Sequence, residues 1–305
     1  MCSSDLTIDV SRDAQQGGTV TLGQVNNAGN AYLNDLTVTL FNTTDTGSSQ
    51  TAGVLKLTGD VKLDANAAGG TDAGSLLVTG GVANTTALSR RAQVVVAPDT
   101  KNASSTLVSI STSQSASTAG DVDLGTTQLT ANAAGRDLTI DVSRDAQQGG
   151  TVTLGQVNNA GGQYLNDLTV KLFTAAETGT TQTAGVLKLT GDVKLDGTTT
   201  DAGSLVVTGG SAGTTALTRR GQVQVVPDAL NASSTLVTIS TAQSAVTAGD
   251  VDLGTTQLTA TTAGTDLTID VSRSSVWGWP GSPRHCRWRR SWRRATSRSR
   301  PASCR

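Results

Sequence analysis

A block of 25 residues, Asp5–Gly29, recurs letter for letter as Asp137–Gly161, and its first eight letters, DLTIDVSR, return at Asp266–Arg273. The copies begin at residues 5, 137 and 266, so the offset is 132 residues and then 129. A repeat this regular restricts the chain to a stacked scaffold or a tandem array, in which each unit is held by its neighbours and no active site is needed. The sequence divides into a short start at 1–4, a first unit at 5–136, a second at 137–265, the opening of a third at 266–273, and a tail at 274–305.

The repeated body and the tail are chemically unlike. Residues 1–273 carry 14 Lys and Arg against 24 Asp and Glu, a net charge of −10, whereas the tail carries nine Arg and no acid. From Asp5 to Arg273 there is no Trp, His, Cys or Met, and Glu177 is the single glutamate among the acids. Thr, Val, Leu, Ala, Ser and Gly dominate there. Branching at Cβ restricts helical rotamers and suits a pleated surface, while Gly, Asn and Asp suit turns. An all-β body is the expectation.

Cys2, Cys286 and Cys304 all lie outside the repeat, so no disulfide framework and no metal-ligand spacing is expected in the body. No apolar run is long enough to span a membrane as a helix. Met1-Cys2-Ser3-Ser4 leads straight into a strand pattern, without the apolar stretch of a signal peptide or of a lipid-attachment site before Cys2.

Strands announce themselves by alternation of period two. In Leu6-Thr7-Ile8-Asp9-Val10 the apolar letters face one way, and the same pattern recurs at Thr19–Leu22, Leu36–Leu40, Leu55–Leu57, Val61–Leu63, Leu76–Val78, Val94–Val96, Val108–Ile110 and Val122–Leu124. Turn-formers such as Gln16-Gly17-Gly18 and Ala119-Gly120-Asp121 separate them. The two copies show which face packs. Thr39 becomes Lys171 and Val95 becomes Gln224, while Leu36, Val38, Leu40, Val94 and Val96 recur as Leu168, Val170, Leu172, Val223 and Val225. The change in offset falls between Leu63 and Gly74, which spans 12 residues against nine for Leu195–Gly203, in a turn where length varies at little cost.

A weaker sub-repeat lies within the unit. DLTIDVS at Asp5, DLTVTLF at Asp35, GSLLVTG at Gly74 and SSTLVSI at Ser104 are spaced 30, 39 and 30 residues apart. This predicts a right-handed parallel β-helix with coils of roughly 30 residues, corresponding strands stacking about 4.8 Å apart. The alternative is a tandem array of antiparallel β-sandwich domains of about 130 residues. Phe41 and Phe173 fall on the outward face by the alternation, which takes large aromatics away from a sandwich core.

Runs such as GDVDLGTTQLTANAAGRDLTIDVS (Gly120–Ser143) and GGTVTLGQVNNAGGQYLNDLTV (Gly149–Val170) resemble the β-strand repeats of large bacterial secreted and surface proteins, the filamentous-haemagglutinin-type adhesins and autotransporter passengers. The resemblance covers about residues 5–273. It implies a right-handed β-helix, a secreted or cell-surface location as part of a longer protein, and a role in adhesion or as a stalk, with host or matrix glycans or proteins as partners. It carries no functional residue across.

Candidate chemistry is sparse. Asp121 and Asp123 share a strand face and recur as Asp250 and Asp252, and Asp9, Asp141 and Asp270 recur with the repeat. Paired carboxylates serve glycoside cleavage or Ca²⁺ binding. Here Val122 and Leu124 continue a strand pattern, no His stands nearby, and a solvated strand face accounts for the acids. Arg90-Arg91 and Arg219-Arg220 read as solvated turn charges, and Asn102-Ala103-Ser104 and Asn231-Ala232-Ser233 as chance glycosylation triplets. No catalytic, cofactor or metal residue is assigned. The reading is non-enzymatic: a rod or spacer, with a polysaccharide-binding or -cleaving β-helix as a lesser alternative. Open sheet edges should self-associate.

The tail holds all four Trp (Trp277, Trp279, Trp288, Trp292), His285 and two Cys. As a genuine product it would bind nucleic acid or a lipid interface through Arg and indole. Its onset after Ser272-Arg273, where both earlier copies continue Asp-Ala-Gln-Gln-Gly-Gly, fits a change of reading frame in GC-rich DNA, and an unpacked segment is expected.

Overall fold

The computed structural model describes residues 5–12, 16–25, 33–41, 51–64, 73–81, 91–112, 119–143, 148–157, 163–174, 183–196, 201–210, 219–228, 234–241 and 248–272. The expectation for the tail concerns residues outside this set. The described strands lie in one compact unit, Met1–Ser274, with no α-helix among the described residues.

Among the described residues twenty strands form: β1 (Leu6–Asp9), β2 (Thr19–Leu22), β3 (Leu36–Thr39), β4 (Val54–Leu57), β5 (Val61–Lys62), β6 (Leu76–Thr79), β7 (Gln93–Val96), β8 (Leu107–Ser111), β9 (Val122–Ala131), β10 (Asp137–Asp141), β11 (Thr151–Val157), β12 (Leu168–Lys171), β13 (Val186–Leu189), β14 (Val193–Lys194), β15 (Leu205–Thr208), β16 (Gln222–Val225), β17 (Leu236–Ser240), β18 (Val251–Asp252), β19 (Gln257–Ala260) and β20 (Asp266–Asp270). Every pairing between these strands is parallel, which is not the antiparallel pattern of the sandwich alternative.

The pairings sort into three ladders. The first runs β1, β3, β6, the start of β9, the start of β11, β13, β16, β19. The second runs β2, β4, β7, the end of β9, the end of β11, β14, β17, β20. The third begins with Val25 bridged to Val61 in β5 and continues through β8, β10, β12, β15 and β18. Because β9 and β11 each serve two ladders, the first two merge into one 14-stranded sheet and the third is a six-stranded sheet. Among the described residues the chain visits the ladders in fixed order, first, second, third, and returns to the first.

Following Leu6, Leu36, Leu76, Val122, Val152, Leu187, Val223 and Leu258 up the first ladder, successive circuits take 30, 40, 46, 30, 35, 36 and 35 residues. The expected coil of roughly 30 is thus the minimum. The extra length lies between strands, as in the arcs from Thr39 to Val54 and from Thr79 to Gln93. The sub-repeat also stacks differently from expectation. The segments at Asp5, Asp35 and Gly74 do lie on one ladder, but that at Ser104 supplies β8 on the third, where it pairs with β10.

The sequence unit is out of step with the circuit. From β1 to β10, its exact copy, the chain passes 11 ladder positions, counting Val25 as one and the halves of β9 as two. Eleven is four circuits of three less one. The pentapeptide DLTID therefore sits on the first ladder as β1, the third as β10 and the second as β20. One sequence can serve all three positions because each asks for the same thing, an aliphatic triplet turned inward. Leu36, Val38 and Leu40 are fully buried, as are Leu168, Val170 and Leu172 in the second copy, while Lys171 is exposed.

Phe41 and Phe173 are buried, against the outward position that strict alternation gives them. Strands β3 and β12 stop at Thr39 and Lys171, so Leu40 and Phe41 enter the core consecutively as the chain leaves the strand, whereas Phe173, buried next to the core residue Leu172, lies outside the core cluster and under Arg219. The period-two rule does not extend past the last paired residue.

Candidate functional site

The carboxylates are the groups with chemical potential, and a first set of them accepts from backbone amides. Asp35 Oδ1 accepts from Ser75 N–H at 2.8 Å, Asp60 from Ser109 at 2.8 Å, Asp121 from Thr151 at 2.6 Å, Asp167 from Ser204 at 2.8 Å, and Asp192 from Thr238 at 2.7 Å. Asp137 accepts from Asp167 N–H at 3.2 Å. In each case the Asp stands one residue before a register pair and the donor one residue before its partner on the next strand. At that point the ladder runs out of carbonyl acceptors, and a side chain with one methylene reaches the orphaned N–H. This geometry favours Asp over the longer Glu, which matches 23 Asp among 24 acids.

A second set closes the ends of ladder segments. Asp9, Asp141 and Asp270 each accept from the backbone N–H and the hydroxyl of the Ser two residues on. Asp123 and Asp252 accept from Gly125 and Gly254 N–H at 2.8 and 2.7 Å. These are Asx turns that stop the ladder. Hydrogen bonds from Ser11 hold the Asp9 carboxyl below its ordinary range.

The repeated acids are not brought together. Asp9, Asp141 and Asp270 lie on three different ladders, and Asp121–Asp123 and Asp250–Asp252 on the first and third. The acids that do converge, Asp137, Asp167 and Asp201, were not singled out by the sequence. Asn166 Nδ2 donates to Asp137 at 2.9 Å and to Asp201 at 3.0 Å. Burial pushes the Asp167 carboxyl above its ordinary value, with Ser204 N–H opposing and the charges of Asp137 and Asp201 adding. Among the described residues no group of three or more His, Cys, Asp or Glu is arranged to hold a metal ion.

The arginine pairs depart from the solvated turn charges expected. Arg91 is buried and its Nη2 donates to Asp228 at 2.8 Å. Burial draws its pKa down, and Asp228 opposes that. Arg219 lies over the Phe173 ring, 5.5 Å from its centroid, a cation–π contact. Arg90 lies outside the described residues. Asn102 is also buried, its Nδ2 donating to Ser104 and Leu107 carbonyls at 3.1 and 2.7 Å, so the triplet is a turn lock; Asn231 lies outside the described residues. Period and spacing do not reveal these partners, because each is set by the turn that follows a strand.

Comparison with family models, with curated proteins and with solved structures gives no match.

Proposed function

We propose that the chain is a rod or spacer segment of a bacterial secreted or cell-surface repeat protein, built as a right-handed parallel β-helix with the three ladders as its faces. Handedness follows from the strong preference of parallel crossover connections. The observation that carries the reading is the placement of one pentapeptide on all three ladders: a fold that reuses a sequence wherever the count falls depends on stacking and on no unique site. Its carboxylates tie one strand to the next, which is what a force-bearing stack requires. Host or matrix surface glycans or proteins are the partners such a segment would present itself to, and the reading assigns no reaction.

Length tests it. Inserting a second copy of residues 137–265 after Thr265 adds 11 ladder positions, or three and two-thirds circuits, and should lengthen the body by about 18 Å at 4.8 Å per strand spacing. A tandem array of compact domains of that size would grow by about 36 Å, twice the radius of an equivalent sphere. Small-angle X-ray scattering separates the two, and the larger increment sinks the β-helix.

A further inference from the structure

We infer that the two ends of the strand stack are complementary, so that a second copy of this chain docks head to tail through an interface the chain already contains. The inference rests on the stacked reading above. At one edge, β18, β19 and β20 are, among the described residues, the last strands of the third, first and second ladders. Their sequence is that of β9 and β10, and inside the chain those strands are covered by β11 and β12. The sequence of β11 is in turn that of β2, Gly23, Gln24 and Val25 at the opposite edge, and β12 is β3 with Lys171 in place of Thr39, β3 being covered there by β1.

The exposed residues show what is missing. Leu258 and Ile269 are 52% and 43% exposed, while their counterparts Leu129 and Ile140 are 2% and 0% exposed beneath β11 and β12. Asp250 corresponds to Asp121, whose carboxylate accepts from Thr151 N–H. The counterpart of Thr151 is Thr19, the first residue of β2, so the incoming copy brings the donor that completes this latch.

The internal register dictates the docked one. Val251 meets Val20 of the second copy, Gln257 meets Gln24, and Leu267 and Ile269 meet Leu36 and Val38, repeating Val122↔Val152, Gln128↔Gln156, Leu138↔Leu168 and Ile140↔Val170. In the free chain β1 already pairs with β3 as Leu6↔Leu36 and Ile8↔Val38. Because β1 and β20 share one sequence, β20 of the first copy replaces β1 of the second without changing a contact, and the pairings of β18 and β19 are the net gain. Such a heterologous contact does not close on itself, and it generates open linear assemblies.

Two edge variants of the full chain test this. Ile269→Lys charges one edge, and Thr19→Pro removes the donor at the other, at a strand's first residue where proline is tolerated. Circular dichroism establishes that both keep the wild-type strand signal. In sedimentation velocity the wild type should show a concentration-dependent series of oligomers, each variant alone should stay monomeric, and a mixture of the two should stop at a dimer. A wild type that stays monomeric, an association indifferent to both substitutions, or a mixture that forms no dimer would overturn the inference. If the inserted unit lengthens the body by the β-helix increment and the wild type still fails to associate, the docking is wrong and the β-helix stands.

Discussion

Leu6, Leu138 and Leu267 are the same letter in the same pentapeptide, and the stack places them at different depths. Leu138 is 1% exposed between Val108 and Leu168, Leu6 is 44% exposed with one strand neighbour, Leu36, and Leu267 is partly buried on β20. Replacing each by Ala removes three carbons. For Leu138 the lost transfer energy is about 2.4 kcal/mol at about 0.8 kcal/mol per methylene, and an enclosed cavity raises the cost to about 3–4 kcal/mol. For Leu6 about half the side chain is already in water and no closed cavity forms, so the cost falls to about 1 kcal/mol. Leu267→Ala should fall between them. Unfolding in stacked proteins need not be all-or-none, so the assay combines urea titration with amide hydrogen exchange resolved by strand. Leu138→Ala should raise exchange in β8, β10 and β12 together; Leu6→Ala should be felt in β1 and β3 alone. Equal costs at Leu6 and Leu138 would refute the depth assignment.

Three further outcomes follow from individual contacts. Asp35→Ala should cost about 1 kcal/mol, less than the 1.5–3 of a buried charged hydrogen bond because the residue is half-exposed, and should accelerate exchange of the Ser75 amide; Asp35→Asn keeps the acceptor and should be near neutral. Asp167 has its carboxyl held up in the folded state, so its contribution to stability is complete below the ordinary carboxylate pKa of about 3.9 and is lost as pH rises through the folded value. Asp167→Asn, which still accepts from Ser204, should therefore gain on the wild type as pH is raised from about 4 to 7 in paired urea titrations, and a constant difference would contradict it. Gly155→Ala puts a Cβ against the Gly125 and Thr127 carbonyls and should cost about 1–3 kcal/mol, whereas the same change at its copy Gly23, with nothing within 4 Å, should be neutral in the same titration.

The buried face was legible because two copies of one sequence vary only where packing allows: Leu36, Val38 and Leu40 recur and are buried, while Thr39 becomes the exposed Lys171. Parallel pairing followed from the spacing of those triplets. The number of ladder positions per unit was not legible. It depends on short segments such as Gln156-Val157 and Gln128–Ala131, whose alternation is too brief to announce a strand and whose pairing comes from neighbours 28 to 35 residues away. The carboxylate latches were missed for a related reason. Asp121 looks like a solvent-facing acid until Thr151, 30 residues on, is known to sit beside it. The burial of Phe41 and Arg91 is not legible, because alternation ends with the strand and says nothing of the turn beside it.

Whether the unit counts 11 positions around three ladders is decided by one outward residue. Leu77 on β6 faces Asp123 on β9 across the first ladder. In a stack that placed the four related segments at Asp5, Asp35, Gly74 and Ser104 on one ladder, Leu77 would instead face Leu107. With Cys2, Cys286 and Cys304 changed to Ser, the pairs Leu77→Cys/Asp123→Cys and Leu77→Cys/Leu107→Cys can be oxidised and digested side by side. Adjacent strands lie about 4.8 Å apart, within the Cα separation that a disulfide spans. The 11-position count predicts a disulfide in the first pair and free thiols in the second; a bridge between residues 77 and 107 with none between 77 and 123 would contradict it.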